Sequence, residues 1–137
     1  MTANPSTVTP QATIAEAWDL MRELDARHVP VVDGETLVGM LSDRDIGSLD
    51  VGRLLTEEGA DGLRRRLDRP VIQLMSDDLI VAEPDTSLGD LITLFLENKV
   101  GAIPVVTPDS RQIVGIISYI DVLRAVQVML EGEDEEE

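Results

Sequence analysis

The stretch Val38-Gly-Met-Leu-Ser-Asp-Arg-Asp45 decides how this chain is read, because it occurs twice. The second version is Val114-Gly-Ile-Ile-Ser-Tyr-Ile-Asp121. Both keep a glycine, an apolar pair, a serine, and an aspartate three residues after that serine. Upstream, Val29-Pro-Val-Val32 answers to Ile103-Pro-Val-Val106. One ungapped shift places Pro10 on Pro84, Ile14 on Leu88, Glu16 on Asp90, Leu20 on Leu94 and Pro30 on Pro104. The later block aligns once two extra residues near Pro108–Arg111 are allowed. Two blocks repeated in the same order identify a duplicated unit.

Each copy reads β-α-β-β-α. An extended piece ends in proline, at Thr7-Val-Thr-Pro10 and at Ile80-Val-Ala-Glu-Pro84. A helix follows, capped by Thr13 with Glu16 at the third helical position, and by Ser87 with Asp90. Ile14, Ala17, Trp18, Met21 and Leu24 recur at helical spacing, as do Leu88, Leu91, Ile92, Phe95 and Leu96. Two β-rich runs around a polar turn then form a hairpin. A second helix starts at Ser42 in one copy and at Ser118 in the other, the latter running through Leu130. The fold class is α/β (α+β), with two such repeats packed as one pseudo-twofold unit. The boundaries are 1–50 for the first repeat, 51–70 for a connector, 71–130 for the second repeat and 131–137 for a disordered acidic tail.

Composition narrows the function. Aromatic residues are 2% of the 137, so the core is aliphatic and a stacking platform for single-stranded nucleic acid is excluded. Twenty-seven acids against 11 bases give a net charge of −16. Such a chain repels phosphate backbones and anionic lipid, so neither nucleic acid nor membrane is an expected partner. With no cysteine, disulfides, thiol catalysis and Cys-ligated zinc are ruled out. A single histidine excludes a His-rich metal site. No apolar stretch approaches the roughly 20 residues of a membrane span, and the amino terminus lacks a signal-peptide pattern. The expected setting is soluble and cytoplasmic. Asp43 and Asp45 stand too close in sequence to face each other across a substrate on a helix, so an enzyme is not expected. The connector carries the basic cluster Arg64, Arg65, Arg66 and Arg69. Its Leu54, Leu55, Leu63 and Leu67 suggest helical pieces, broken at Gly59 and Gly62, with a basic face that is either solvated or a contact for a partner or phosphate.

The repeated blocks resemble the cystathionine-β-synthase (CBS) domain family. The residues that carry the likeness are His28-Val-Pro-Val-Val-Asp33 with Gly39-Met-Leu-Ser-Asp-Arg-Asp45, and Ala102-Ile-Pro-Val-Val106 with Gly115-Ile-Ile-Ser-Tyr-Ile-Asp121. Val71-Ile-Gln-Leu-Met-Ser76 is similar to the family's entry into a repeat. The resemblance implies a tandem pair, or Bateman module. It also implies an adenosine-containing ligand, with AMP, ADP or ATP first and S-adenosylmethionine as an alternative. The ligand is held in the inter-repeat cleft and acts as a regulatory signal, with no obligatory cofactor. A stand-alone homodimer acting on an unidentified enzyme or transporter is the implied context. The other reading is a docking module that needs no ligand.

Ser42 with Asp45, and Ser118 with Asp121, are what a capping box asks for on structural grounds alone. The resemblance adds a ligand role: Asp to the ribose hydroxyls, Ser to the phosphate. Gly39 and Gly115, at the ends of strands, allow a ligand close to the backbone, and the helix start beyond them suits an anion. The copies differ in charge. The first adds Arg27, His28 and Arg44, where the second has Gly101, Ala102 and Ile120. Guanidinium groups suit phosphate. Against that, Arg27 and Arg44 could pair with Asp25 or Asp43, and His28 could be a packing residue. The expected apolar lining for adenine is Val8, Met40, Val81, Ile103 and Ile116, each of which also suits the core.

Overall fold

Helices begin where the chain supplies an acceptor for a free backbone N–H. In the computed structural model, which describes residues 1–47 and 59–136, the Thr13 hydroxyl accepts from Glu16 N–H at 3.1 Å and opens α1 (Ile14–Leu24). Ser87 does the same for Asp90 N–H at 3.1 Å and opens α4 (Leu88–Asn98). Both helices end at a left-handed residue in the matching position, Asp25 (φ 51°) and Lys99 (φ 54°). The caps thus repeat with the sequence.

The chain divides into two compact units, Ser6–Leu79 and Met1–Pro5 with Ile80–Glu137. In the Ser6–Leu79 unit, β2 (His28–Asp33) pairs antiparallel with β3 (Thr36–Ser42), and α2 (Asp43–Gly47) follows directly. The connecting turn needs a positive φ, which Gly34 supplies at 65°. The expected first strand shrinks to a single parallel bridge, Val8 to Val31, closed by Val8 N–H to Pro30 O (3.0 Å) and Val32 N–H to Val8 O (2.9 Å). The core is Ile14, Ala17, Met21, Val29, Val31, Leu41, Ile46 and Val71. It is aliphatic, as the composition demands; Trp18 lies 36% exposed.

The connector differs from its reading. α3 (Gly59–Leu67) runs unbroken through Gly62, so that glycine does not interrupt the helix. Helix propensity costs glycine only about 1 kcal/mol, and neighbouring packing overrides it. Leu67 packs against the first core, and Ile14 N–H donates to Arg69 O at 2.9 Å. The chain thus returns to this unit before the short 3-10 turn Val71–Gln73. Leu54 and Leu55 lie outside the described residues.

The second unit has β4 (Ala102–Val106) antiparallel to β5 (Ile113–Ser118), and β1 (Thr2–Ala3) added on the far edge of β5. Its core is smaller: Ala82, Leu91, Ile103 and Val105, with Phe95 half-buried against them. α5 (Tyr119–Glu136) does not stop at Leu130 as the sequence reading has it. The helix continues into the acidic stretch that reads as disordered by composition, because each added residue of an existing helix gains a backbone bond without a new nucleation cost.

The unit boundary exposes an exchange. Met75 and Ser76 belong to the start of the second repeat yet close the edge of β3, with Met40 and Ser76 exchanging backbone bonds at 3.0 and 2.9 Å. Thr2 and Ala3 belong to the start of the first repeat yet close the edge of β5 at Ile116 and Gly115. Gly39 and Gly115 are small for the same reason. A Cβ on Gly39 would meet the Met75 thioether, and one on Gly115 would meet that of Met1. We expect Gly39→Val to cost about 1–3 kcal/mol from overpacking. Met75→Ala in the same chain should recover part of that loss in a denaturant-melt double-mutant cycle; strictly additive costs would refute the contact.

Candidate functional site

The antiparallel register of β2 and β3 assembles the site. His28 opens β2 directly opposite Ser42, the last residue of β3. One step further out, Asp43 N–H donates to Arg27 O at 2.9 Å. Residues far apart in sequence, Arg27 and His28 on one side and Ser42 to Asp45 on the other, therefore form one corner. Arg27 and Arg44 are exposed, while His28, Ser42 and Asp45 are half-buried.

The corner is held by a reciprocal cap. Ser42 N–H donates to Asp45 Oδ2 at 2.9 Å, and Asp45 N–H donates to Ser42 Oγ at 3.1 Å. Because Ser42 Oγ serves as an acceptor here, its own hydroxyl proton can still be donated, and a carboxylate has acceptor sites on both oxygens. The cap and a ligand contact are thus compatible. The described part of α2 is five residues, so the side chains rather than a helix end carry the argument for an anion.

Burial pushes the His28 imidazole below its ordinary range and is the dominant influence. The carboxylates of Asp43 and Asp45 pull it up, and the guanidiniums of Arg44 and Arg27 push it down. Four charged groups therefore surround one ring. Because the folded value lies below 6.5, the unfolded chain binds more protons here. The stability this neutral histidine contributes is present above pH 6.5 and is lost as pH falls through the folded value.

The second repeat builds the same corner without the charge. Ala102 pairs with Ser118, and Tyr119 N–H donates to Gly101 O at 3.3 Å. Ser118 N–H donates to Asp121 Oδ2 at 3.0 Å and Asp121 N–H to Ser118 Oγ at 3.2 Å. No basic side chain stands where Arg27, His28 and Arg44 do.

The apolar residues are less uniform than their reading. Met40 is 8% exposed, and Val8, Val81 and Ile116 are half-buried. Ile103 is fully buried in the second core at 0% exposure, its surface spent on Ala82, Leu91 and Val105. The counterpart of Val8 is Ala82, which makes the same parallel bridge to Val105. The expected lining names Val81 rather than Ala82, although the ungapped shift lays Val8 on Ala82. What comes close to Gly39 is the Met75 side chain, and to Gly115 that of Met1. The sequence carries that signal too, since the same shift lays Met1-Thr2 on Met75-Ser76.

The comparisons with known proteins follow this geometry. The family model described as CBS domain matches residues 1–49 and 71–128. The chain belongs to the CBS domain family. Among curated CBS relatives, the CBS domain-containing protein YhcV of Bacillus subtilis is 36% identical over 121 residues, covering 88% of this chain and 78% of that protein. The crystal structure of the CBS-pair protein CBSX2 of Arabidopsis thaliana matches with a TM-score of 0.79 at 30% identity, over 96% of this chain and 93% of that one. CBSX2 has also been solved in complex with AMP, and that structure matches with a TM-score of 0.77 at 31% identity, over 94% and 93% of the two chains. Against two Methanocaldococcus jannaschii relatives the chain spans 36% and 48% of their length. It spans 21% of the inosine-5'-monophosphate dehydrogenase of that organism, at 29% identity. YhcV, matched over 78% of its length, carries no catalytic name. Among the described residues, no helix is long and apolar enough to cross a membrane.

Proposed function

We propose that this CBS pair binds an adenosine nucleotide, with AMP, ADP and ATP ahead of S-adenosylmethionine, and serves as a regulatory, energy-sensing module without catalysis of its own. The observation that carries the reading is the corner at the start of β2. Arg27, His28 and Arg44 stand together around the Ser42–Asp45 cap, two guanidiniums and an imidazole beside the carboxylates of Asp43 and Asp45, in a chain of net charge −16. The AMP complex of CBSX2, at 31% identity, supports the ligand class. The roles are Asp45 to the ribose, Ser42 with Arg27, His28 and Arg44 to phosphate, and Met40 with Val8 toward the adenine. Ser118 and Asp121 offer ribose contacts to a less charged ligand, with Val81, Gly115 and Ile116 beside them.

Titration calorimetry with AMP tests this. Saturable heat is expected, with a rise in melting temperature on adding ligand. Asp45→Ala should weaken binding about tenfold or more. Asp45→Asn, which keeps an acceptor for the cap, should weaken binding while preserving the melting temperature. Absence of heat and of any melting shift across these nucleotides and S-adenosylmethionine would sink the proposal.

A second reading is a ligand-independent dimerisation module. It is favoured by the apolar side chains that α4 and α5 leave exposed: Leu96 at 73%, Leu123 at 59% and Leu130 at 58%. A homodimer that also binds nucleotide fits both readings. A stable dimer that ignores every adenosine compound would select the second.

A further inference from the structure

His28 is the one histidine of the chain, and it sits where the proposed phosphate would arrive. Arg27 precedes it on the same strand entry. Ser42 faces it from β3, and Asp43, Arg44 and Asp45 face it from α2. Without ligand the ring is half-buried between two cations and two anions, and desolvation keeps it neutral near pH 7. A phosphate held by Arg27 and Arg44 changes that balance. It brings negative charge next to the ring and offsets both guanidiniums that oppose protonation. The cationic imidazole then gains a further anionic partner beside Asp43 and Asp45. We propose that His28 takes up a proton from solvent when a phosphate-bearing nucleotide binds, so that this site tightens as the medium acidifies. Unphosphorylated adenosine gains nothing from this proton, so the preference for nucleotide over nucleoside grows as pH falls. Ala102 stands at the matching position of the second repeat, which therefore has no such coupling.

This inference rests on the nucleotide reading, and the experiment separates the two. The full chain is titrated with AMP at pH 7 in two buffers of very different ionisation enthalpy. Proton uptake appears as a difference between the observed heats. The phosphate's own second ionisation, with a pKa of about 6, moves the opposite way when cations bind it, releasing protons. The sign therefore identifies the histidine. Uptake is expected in the wild type and should disappear or reverse in His28→Gln. AMP affinity should rise as pH falls from 7.5 to 6, by at most about tenfold per pH unit for one linked proton. Because no other histidine exists, the ring resonances of His28 can be followed directly by NMR. Their titration midpoint should move up with AMP and stay put with adenosine. AMP binding with equal heats in both buffers, or with an unmoved midpoint, overturns the proton coupling and leaves the nucleotide reading intact. No binding at all overturns both.

Discussion

Replacing both Arg27 and Arg44 by alanine is expected to weaken AMP binding about thirtyfold while leaving the fold in place. Both side chains are exposed, and neither belongs to a core cluster. Surface changes of that kind usually move stability by less than about 0.5 kcal/mol. Hydrogen bonds between charged groups contribute about 1.5–3 kcal/mol each when sheltered. At an exposed site, with salt screening, about 1 kcal/mol per guanidinium is the better figure. Two of them give about 2 kcal/mol, close to thirtyfold in affinity. Adenosine, which lacks the phosphate, should bind the variant and the wild type alike. Calorimetry at 50 and 200 mM salt checks the cause, since the wild type should lose affinity with salt and the double variant should lose less. Unchanged AMP affinity in the variant would remove phosphate from the corner. Lysine in place of each arginine should restore charge without the planar fork and recover part of the loss.

Leu41→Ala is expected to be the most damaging single truncation in the first repeat, costing about 3 kcal/mol. Leu41 is 0% exposed, pairs with Val29 across the hairpin, and lies one residue before Ser42. Leu-to-Ala changes in a closed core cost about 2–5 kcal/mol, the cavity adding to the lost transfer energy. Against a total stability of about 5–15 kcal/mol this is a large share, and a thermal melt followed by circular dichroism should shift down by about 10 °C. AMP affinity should fall with it, because the strand that delivers Ser42 and Asp45 loses its anchor. Leu24→Ala is the control. That residue is 49% exposed, and its truncation should leave both the melt and the AMP titration close to wild type. A Leu41→Ala protein melting like the wild type would mean that β3 is not held by this contact.

Much of the fold could be read in advance because its determinants are local. The caps at Thr13 and Ser87 each involve residues three positions apart, and each hairpin joins two runs that a short polar turn separates. The duplication supplied a second copy against which each such reading could be checked. Departures came where helix propagation or packing outweighs composition and propensity. Composition alone marked Glu131 onward as disordered, yet the helix begun at Tyr119 carries through. Gly62 reads as a breaker, yet α3 passes through it. Ile103 suits pocket lining or core by residue type, and Ala82 and Leu91 enclose it in the core.

The candidate site divides in the same way. Residue identity at short spacing is enough for the duplication, the β-α-β-β-α order, the capping boxes at Ser42–Asp45 and Ser118–Asp121, and the charge difference between the copies. That Arg27 and His28 stand beside Asp43, Arg44 and Asp45 comes from the folded chain, because it depends on the antiparallel register of β2 and β3. The same holds for Met75 and Met1, which stand at the start of one repeat and cover the glycine of the other. Edge pairing joins segments remote in sequence, and no local period records which strand a free edge will take.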